Sequence, residues 1–237
     1  MNLHQIANIT GAKFKNLSNK KVNRFIIDSR QAKKGDFFVP LKGNNVDGHQ
    51  FIDEVFKKGA FGSFSSKNIE KSNVLVVDDT LKALTDIAKY KKDFIDIKIG
   101  ITGTAGKTTT KEILSYLLSY FYPVYYTKGN YNNQIGLPIT LANIDKNYRY
   151  GVFELGASKK GDISYLTDIL NQNIAVITNV GYGHTEGLGG FEGVLQEKKN
   201  ILKTADFKIA PKWLNINEKN IKTFGYENAD TNINSVY

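Results

Sequence analysis

The stretch that decides the fold of this chain is Ile97-Lys98-Ile99-Gly100-Ile101-Thr102-Gly103-Thr104-Ala105-Gly106-Lys107-Thr108-Thr109. Its residues up to Thr102 predict a strand, and the residues from Lys107 to Ser119 predict a helix. A glycine turn between a strand and a helix is typical of a phosphate-binding loop, because glycine lets backbone N–H groups point at an anion beside the helix N-terminus. We therefore predict that all seven residues from Gly103 to Thr109, namely Gly103, Thr104, Ala105, Gly106, Lys107, Thr108 and Thr109, bind the phosphates of ATP.

Two side chains of this loop have specific expected roles. Lys107 is expected to reach the β- and γ-phosphates as a point charge, and the Thr108 hydroxyl is expected to ligate Mg²⁺. The loop is shorter than the common form, because Gly103 lies only three positions before Gly106 and the position five before it is Ile101. A chance Gly-Lys-Thr in an ordinary turn is the alternative, and the flanking strand and helix argue against it.

Strands and helices alternate along the chain after this point. This alternation predicts a mostly parallel, doubly wound sheet with helices on both faces. The tail from Pro211 is polar and rich in asparagine, so we expect the domain to be incomplete at its C-terminal end. The predicted strands are 97–102, 123–127, 149–154, 174–178 and 206–210, and the predicted helices are 107–121, 135–143, 161–170 and 191–203.

The part of the chain before the loop predicts a smaller, mixed α/β domain. The segment 74–79 resembles a Walker-B strand, but it precedes the loop, so we assign it to this first domain. We place the two domains at residues 1–95 and 96–237. Within the first, the predicted strands are 24–28, 36–41 and 74–77, and the predicted helices are 51–58 and 79–94.

Composition excludes several classes of protein. The 237 residues are 41% hydrophobic, which is enough for a sizeable core. The absence of cysteine excludes disulfides, thiolate zinc sites and a cysteine nucleophile. We find no signal peptide and no apolar run near the roughly 18–20 residues of a membrane span, so we expect a cytoplasmic protein.

The net charge of +9 raises the possibility of a nucleic-acid partner. The alternative is a lysine-rich composition, since the only arginines are Arg24, Arg30 and Arg149. No basic-aromatic motif accompanies the charge, so we expect no nucleic acid among the partners.

Three polar residues are predicted at the carboxyl ends of neighbouring strands, where ligands bind in open α/β sheets. Thr108 follows the first strand of the second domain, Glu154 ends another, and His184 lies in a glycine-rich loop after a third. A hydroxyl, a carboxylate and an imidazole can hold divalent cations near phosphates, so we predict all three as metal ligands. Lys198 and Lys199 have the pattern of a solvated surface pair.

Several further motifs accompany the phosphate loop. They are Gly129-Asn130-Tyr131-Asn132-Asn133-Gln134-Ile135-Gly136-Leu137-Pro138, Glu154-Leu155-Gly156-Ala157 with Gly161-Asp162-Ile163, Thr178-Asn179-Val180-Gly181 with His184, and Asp28-Ser29-Arg30 with Asp47-Gly48-His49-Gln50-Phe51. Together with the loop, these motifs resemble the Mur ligase family. The resemblance covers about residues 25–205, and its motifs fit the member that joins D-alanyl-D-alanine to UDP-N-acetylmuramoyl-tripeptide.

The resemblance implies an ATP-driven, Mg²⁺-dependent peptide ligase of peptidoglycan precursor synthesis, which works through an acyl phosphate. It implies catalytic roles for Lys107, Glu154, His184 and Lys198, of which Lys198 aligns with a lysine that family members carbamylate. It also implies that Asn132 and Asn133 line the phosphate side of the site. The residues implied near the UDP-sugar, in the N-terminal UDP-sugar-binding domain, are Ser29, Arg30, Asp47, Gly48 and His49.

Family members have a third, C-terminal ligase domain, which we expect to be absent from this chain. The activity of the chain alone is therefore uncertain, and a separate chain is one way to supply that domain; we expect a monomer otherwise. The alternatives are a related ligase that adds a diamino acid or glutamate, and a non-catalytic remnant that binds ATP or a UDP-sugar.

Overall fold

The computed structural model describes residues 1–183, 185–226 and 228–232. The chain divides into two compact units, one of Met1–Lys92 with Pro138–Asp145 and the other of Asp93–Leu137 with Lys146–Tyr237. Both contain parallel sheets, which confirms the predicted α/β class. The domain boundary proposed between residues 95 and 96 stays a prediction. No helix in the described part of the chain is long and apolar enough to cross a membrane.

The first unit is a parallel sheet in the order β1-β2-β3-β4 with helices packed on it. Its centre is apolar, with Phe37, Phe64 and Leu84 fully buried. The strands are β1 (Phe25–Ile26), β2 (Phe37–Phe38), β3 (Gly62–Ser65) and β4 (Val74–Val76), and the helices are α1 (Leu3–Thr10), α2 (Ile52–Lys57) and α3 (Thr80–Lys91).

The first two strands are shorter than predicted, and each ends for a local reason. After β1, the Asp28 carboxylate accepts a hydrogen bond from the Arg30 N–H and starts a 3₁₀ turn at Ser29–Gln31. After β2, Pro40 has no N–H to donate to a neighbouring strand.

Helix α1 was not predicted, although its signals are present in the sequence. Asn2 and Gln5 form a reciprocal capping box at its start, and Gly11 ends it with a positive φ. Leu3, Ile6 and Ala7 give it a buried face.

The second unit is a parallel sheet in the order β11-β10-β9-β8-β5-β7-β6. Strand β5 lies between β7 and β8, so the loops after these strands meet at one edge of the sheet. The strands are β5 (Ile95–Thr102), β6 (Val124–Tyr126), β7 (Tyr148–Glu154), β8 (Ile174–Ile177), β9 (Phe207–Pro211), β10 (Ile221–Gly225) and β11 (Thr231–Asn232). The helices are α4 (Lys107–Ser119), α6 (Asp162–Leu170), α7 (Thr185–Leu188) and α8 (Gly190–Lys199). Helix α5 (Gly136–Ala142) begins in this unit and continues into Pro138–Asp145, which belongs to the first unit.

Two regions of this unit differ from the sequence analysis. The helix predicted at 191–203 is preceded by a separate short helix, α7, and Gly189 and Gly190 break the path between the two because both have φ near +83°. The polar tail after Pro211 contributes β10 and β11 to the sheet, which its composition did not predict.

The N-terminal cap of α3 gives a first testable prediction. The Asp79 carboxylate accepts hydrogen bonds from the N–H groups of Leu81 and Lys82 at 2.7 and 3.0 Å. Asp79→Ala should therefore lower the free energy of unfolding by about 1 kcal/mol, measured by urea denaturation. Asp78→Ala is the matched control, and an equal loss in both variants would contradict the capping role.

Candidate functional site

The loop between β5 and α4 is fastened to the segment that follows β8. The Thr104 N–H donates to the Asn179 carbonyl at 2.9 Å, and the Thr178 hydroxyl donates to the Ala105 carbonyl at 2.6 Å. The Gly181 N–H donates to the Thr104 hydroxyl at 3.0 Å. The short loop is therefore shaped by its neighbouring strand as well as by its own sequence.

The two glycines of the loop are needed for different reasons. A Cβ on Gly103 would lie 2.0 Å from Thr178 Oγ1, so only glycine allows this close approach. Gly106 has φ +81° at the N-cap of α4, a conformation that L side chains rarely adopt. Helix α4 begins directly after this cap with Lys107, whose ammonium donates to the Gly103 carbonyl at 2.9 Å.

Thr108 and Glu154 are brought together, as their positions at strand ends predicted. The Thr108 hydroxyl donates to Glu154 Oε2 at 2.8 Å, and Asn132 Nδ2 donates to Glu154 Oε1 at 2.7 Å. Glu154 is only 3% exposed. A buried carboxylate held between a hydroxyl and an amide presents oxygen atoms, which are the donors that hard cations prefer.

A cavity of about 240 Å³ in the second unit is lined by six of the predicted site residues. Its lining includes polar side chains at the ends of β5 and β7 and on α8. It is lined by Gly103, Thr104, Lys107, Asn132, Asn133, Gly156, Ala157, Ser158, Asp162 and Lys198.

Asn133, predicted to bind the phosphate side, lines this cavity and also caps a helix. Its side-chain oxygen accepts hydrogen bonds from the Ile135 and Gly136 N–H groups at 3.1 and 2.8 Å. These two bonds use the side-chain oxygen, so the amide nitrogen can still donate to a ligand.

Lys198 is buried in this site, and the surface-pair interpretation of its pattern is wrong. It is only 4% exposed. Burial, with a smaller contribution from the nearby Lys107 ammonium, lowers the pKa of Lys198 to about 8, while Glu197 acts in the opposite direction. Two lysine ammonium groups therefore face one small cavity, which favours an anionic occupant.

Two buried carboxylates, one of them in the cavity lining, fix the start of α6 and the segment before it. Glu197 accepts hydrogen bonds from the Gly161 and Ile163 N–H groups at 2.9 and 2.7 Å and so caps α6. Burial alone would raise the pKa of Asp162, but hydrogen bonds from Ser158 and the Lys159 N–H outweigh it and hold that pKa below its usual value. These bonds fix the Ser158 segment against α6.

His184, the third predicted metal ligand, lies outside the described residues. Within the described ranges, no group of three or more histidine, aspartate or glutamate side chains could hold a metal ion. A cation beside Thr108 and Glu154 would therefore take its remaining ligands from phosphate oxygens and water, which is the usual coordination of Mg²⁺.

In the first unit, Ser29 and Arg30 form a turn at the end of β1. The Arg30 guanidinium makes two hydrogen bonds to the Asp28 carboxylate, at 2.9 and 2.8 Å, and this contact lowers the pKa of Asp28 to about 2. Ser29 is buried, while the Arg30 side chain is 87% exposed. Asp28 thus holds the Arg30 guanidinium by Nε and Nη2, and the side chain stays exposed to solvent.

Asp47, Gly48 and His49 form a second turn, at Gly48–Phe51. His49 Nδ1 lies 2.6 Å from Asp47 Oδ1, and His49 Nε2 lies 3.0 Å from Ser66 Oγ. The order serine, histidine, aspartate matches a hydrolytic triad, but His49 Nε2 already accepts the Ser66 N–H at 2.9 Å. Its one lone pair is occupied, so His49 is a bridging residue here and not a general base.

These two turns are separate in their bonding. Across the described residues, no hydrogen bond or ion pair joins Ser29 or Arg30 to Asp47, Gly48 or His49. Gly48 fits closely, because a Cβ there would lie 2.8 Å from the Leu41 carbonyl oxygen.

The sequence analysis missed several residues that support the site. Thr127 follows β6, and its hydroxyl accepts the Glu154 N–H at 3.3 Å. Gln134 donates to Asp162 Oδ1 at 2.8 Å. The strand-end rule that selected Glu154 also applies to Thr127 and could have identified it.

The chain matches two family descriptions. Residues 101–236 match the Mur ligase middle domain, and residues 21–92 match the Mur ligase family catalytic domain. The chain belongs to the Mur ligase family. This confirms the resemblance that the sequence motifs indicated.

Individual Mur ligases are similar over most of this chain. The UDP-N-acetylmuramoyl-tripeptide–D-alanyl-D-alanine ligase of Bacillus subtilis (strain 168) is 39% identical over 180 residues, which are 74% of this chain and 39% of that ligase. A crystal structure of MurF from Acinetobacter baumannii aligns with a TM-score of 0.86 and 31% identity, over 95% of this chain and 53% of that one. MurF ligase from Thermotoga maritima, solved in complex with ADP, aligns with a TM-score of 0.79 and 34% identity over 88% of this chain and 52% of that one. The chain thus spans about two fifths to one half of the length of these relatives.

The buried Lys198 gives a prediction about stability and pH. Its pKa is lowered from 10.5 to about 8, so Lys198 is charged in the folded state below pH 8, and this buried charge destabilises the fold. Lys198→Met should therefore raise the free energy of unfolding at pH 7 by roughly 2–3 kcal/mol. As pH rises from about 8 to 10.5, the folded wild type loses its proton while the unfolded chain keeps it, so the wild type gains stability and the difference shrinks. Urea denaturation across this pH range measures the difference in free energy of unfolding between the wild type and Lys198→Met, with Lys199→Met as control. A difference that does not change with pH would contradict the buried charge.

Proposed function

We propose that this chain carries the ATP site and the UDP-sugar site of a ligase that joins D-alanyl-D-alanine to UDP-N-acetylmuramoyl-tripeptide. One observation carries the proposal, namely that Thr108 of the phosphate loop and the buried carboxylate of Glu154 meet at 2.8 Å beside Lys107 and Lys198. The motif around Glu154 and the similarity to ligases named for this reaction support the choice of substrates.

The reaction brings anions together, and the site has the charges to allow this. ATP phosphorylates the terminal carboxylate of the tripeptide, giving an acyl phosphate and ADP. The amine of D-alanyl-D-alanine then attacks the acyl carbon, and phosphate leaves. The Thr104 N–H already donates to the Asn179 carbonyl. The other N–H groups of the loop from Gly103 to Gly106 and the Lys107 ammonium are proposed to bind the transferred phosphate, since both attract negative charge that is spread over its oxygens.

Mg²⁺ fits the oxygen donors of Thr108 and Glu154, and when bound it would offset the charge of the β- and γ-phosphates. Asn132 holds the Glu154 carboxylate from the side opposite Thr108. His184 is proposed as a ligand of a second cation. Lys198 is proposed to act as its carbamate, because its lowered pKa favours the neutral amine that reacts with CO₂.

The first unit is proposed to bind the UDP part of the substrate. Arg30 is exposed and presents N–H donors that match a diphosphate, and Ser29 lies in the same turn. Asp47, Gly48 and His49 form a second turn whose backbone is proposed to contact the uridine. The complete ligase is proposed to be a monomer in the cytoplasm, with the remaining half of the family length supplied by further polypeptide.

Ligand binding to the chain itself tests the nucleotide site. ADP with Mg²⁺ at about 100 times its dissociation constant should add roughly 2.7 kcal/mol of stability and raise the melting temperature by about 5–10 °C. Lys107→Ala should remove this shift, whereas Lys89→Ala, on the exposed side of α3, should keep it. UDP-N-acetylmuramoyl-tripeptide should give a shift of its own in both variants.

The outcomes separate the candidates. A shift with the UDP-sugar alone would indicate a binding module without a working ATP site. No shift with either ligand would contradict both halves of the proposal.

Turnover tests the reaction itself. When polypeptide corresponding to the remaining half of the family length is added, phosphate release should require ATP, UDP-N-acetylmuramoyl-tripeptide and D-alanyl-D-alanine together. Glu154→Gln should lower the rate at least about 100-fold, because loss of a metal-ligating charge removes several kcal/mol of transition-state stabilisation. Release with a diamino acid and the dipeptide precursor instead would assign the chain to the related ligase.

A further inference from the structure

A second lysine of α4, Lys111, is fully buried and has no role in the mechanism described above. Its ammonium donates to the Thr127 carbonyl at 2.7 Å and to the Gly129 carbonyl at 3.5 Å. The Glu112 carboxylate lies 2.8 Å from the same ammonium and supplies a counter-charge. Both carbonyls belong to the segment that follows β6.

A lysine at such a position requires an explanation beyond packing. Removing an ammonium from water is unfavourable unless charges and hydrogen bonds replace the lost solvation, and methionine would fill similar space without that penalty. What methionine could not do is hold main-chain carbonyls. The contact with Thr127 and Gly129 is therefore the property that this lysine adds.

The carbonyls that Lys111 holds begin the loop that reaches Glu154. We call residues 127–133 the asparagine loop. At its start, the Thr127 hydroxyl accepts the Glu154 N–H at 3.3 Å. Near its end, Asn132 donates to Glu154 Oε1 at 2.7 Å, and the Asn132 carbonyl accepts the Gly156 N–H at 2.8 Å.

Helix α4 thus contacts Glu154 along two routes. Thr108 binds the carboxylate directly at 2.8 Å. Lys111, three residues later and therefore on nearly the same face of the helix, binds the asparagine loop that holds the other carboxylate oxygen. The two routes form a closed ring of hydrogen bonds around the Glu154 side chain.

We propose that Lys111 is a positioning residue that fixes the asparagine loop to α4 and so orients the Glu154 carboxylate for a divalent cation bound with a nucleotide. This inference rests on the proposed function only for the identity of the bound groups. Lys111 is not among the residues that line the cavity beside the phosphate loop. It acts through Thr127 and Asn132 on the carboxylate.

Two measurements on the full chain separate positioning from a general role in the core. In Lys111→Met, hydrogen exchange of the segment 127–137 should become about tenfold faster, while exchange in β5 changes less than about twofold. The gain in ADP affinity on adding Mg²⁺, measured by calorimetry against the affinity in EDTA, should fall by about 10-fold, a typical effect of losing the support of a metal ligand. The affinity in EDTA should remain within about twofold, because the phosphate loop is unchanged.

Lys128→Met is the matched control, since Lys128 is an exposed lysine of the same loop. It should leave both quantities as in the wild type. Lys111→Gln is the second variant, to be used if Lys111→Met does not unfold cooperatively. Its amide donor is shorter than the lysine, so the loop should exchange its amide hydrogens faster than in the wild type.

Each outcome decides the question. Faster exchange confined to the segment 127–137 supports the proposal. If the wild type binds no ADP, that result contradicts the proposed function and leaves the positioning role supported by the exchange data. Uniformly faster exchange, unchanged exchange, or failure of both variants to fold would make Lys111 a stabilising core residue and overturn the positioning role.

Discussion

The register between β5 and β7 is the constraint on which the rest of the site depends. Ile101 pairs with Glu154, so the carboxylate ends its strand one residue before β5 gives way to the phosphate loop. The Thr102 hydroxyl donates to the Leu155 carbonyl at 2.8 Å and fixes this pairing at its end. A slip of one residue would turn Glu154 to the other face of the sheet and away from Thr108. The pairing of the two strands therefore places Glu154 at the end of β5, where its carboxylate contacts the Thr108 hydroxyl.

Around this contact the second unit buries several ionisable groups, and two of the carboxylates have clear structural roles. Glu197 caps α6 and Asp162 fixes the Ser158 segment, so these carboxylates replace lost hydration with backbone hydrogen bonds. Lys198 differs from them, because none of the described residues accepts a hydrogen bond from its ammonium. A buried cation without such a partner destabilises the fold, and sites of function are where proteins retain such groups.

The sequence was sufficient for the parts that local chemistry controls. The phosphate loop, the strand that ends at Glu154 and the α/β class follow from short-range patterns of glycines, apolar runs and helix caps. Lys198 could not be placed, because a Lys-Lys pair on a helix has the same pattern whether the helix is solvated or packed, and only the position of α8 beside Lys107 decides between them. Strands β10 and β11 were missed for a related reason, since strands near the edge of a sheet can be polar and are held mainly by backbone pairing.

The distribution of charge in the cavity fits the proposed reaction, whose anionic reactants repel one another. Lys107 places positive charge on the cavity, where the proposed reaction would bring a transferred phosphate close to a substrate carboxylate. Glu154 is the single buried carboxylate that the Thr108 hydroxyl contacts, and its charge attracts a cation rather than a second anion. The first unit shows the opposite arrangement, because Asp28 with Arg30 and Asp47 with Lys67 neutralise each other internally. The Lys107 ammonium at the cavity thus attracts anions, whereas the charges of these two pairs in the first unit compensate each other.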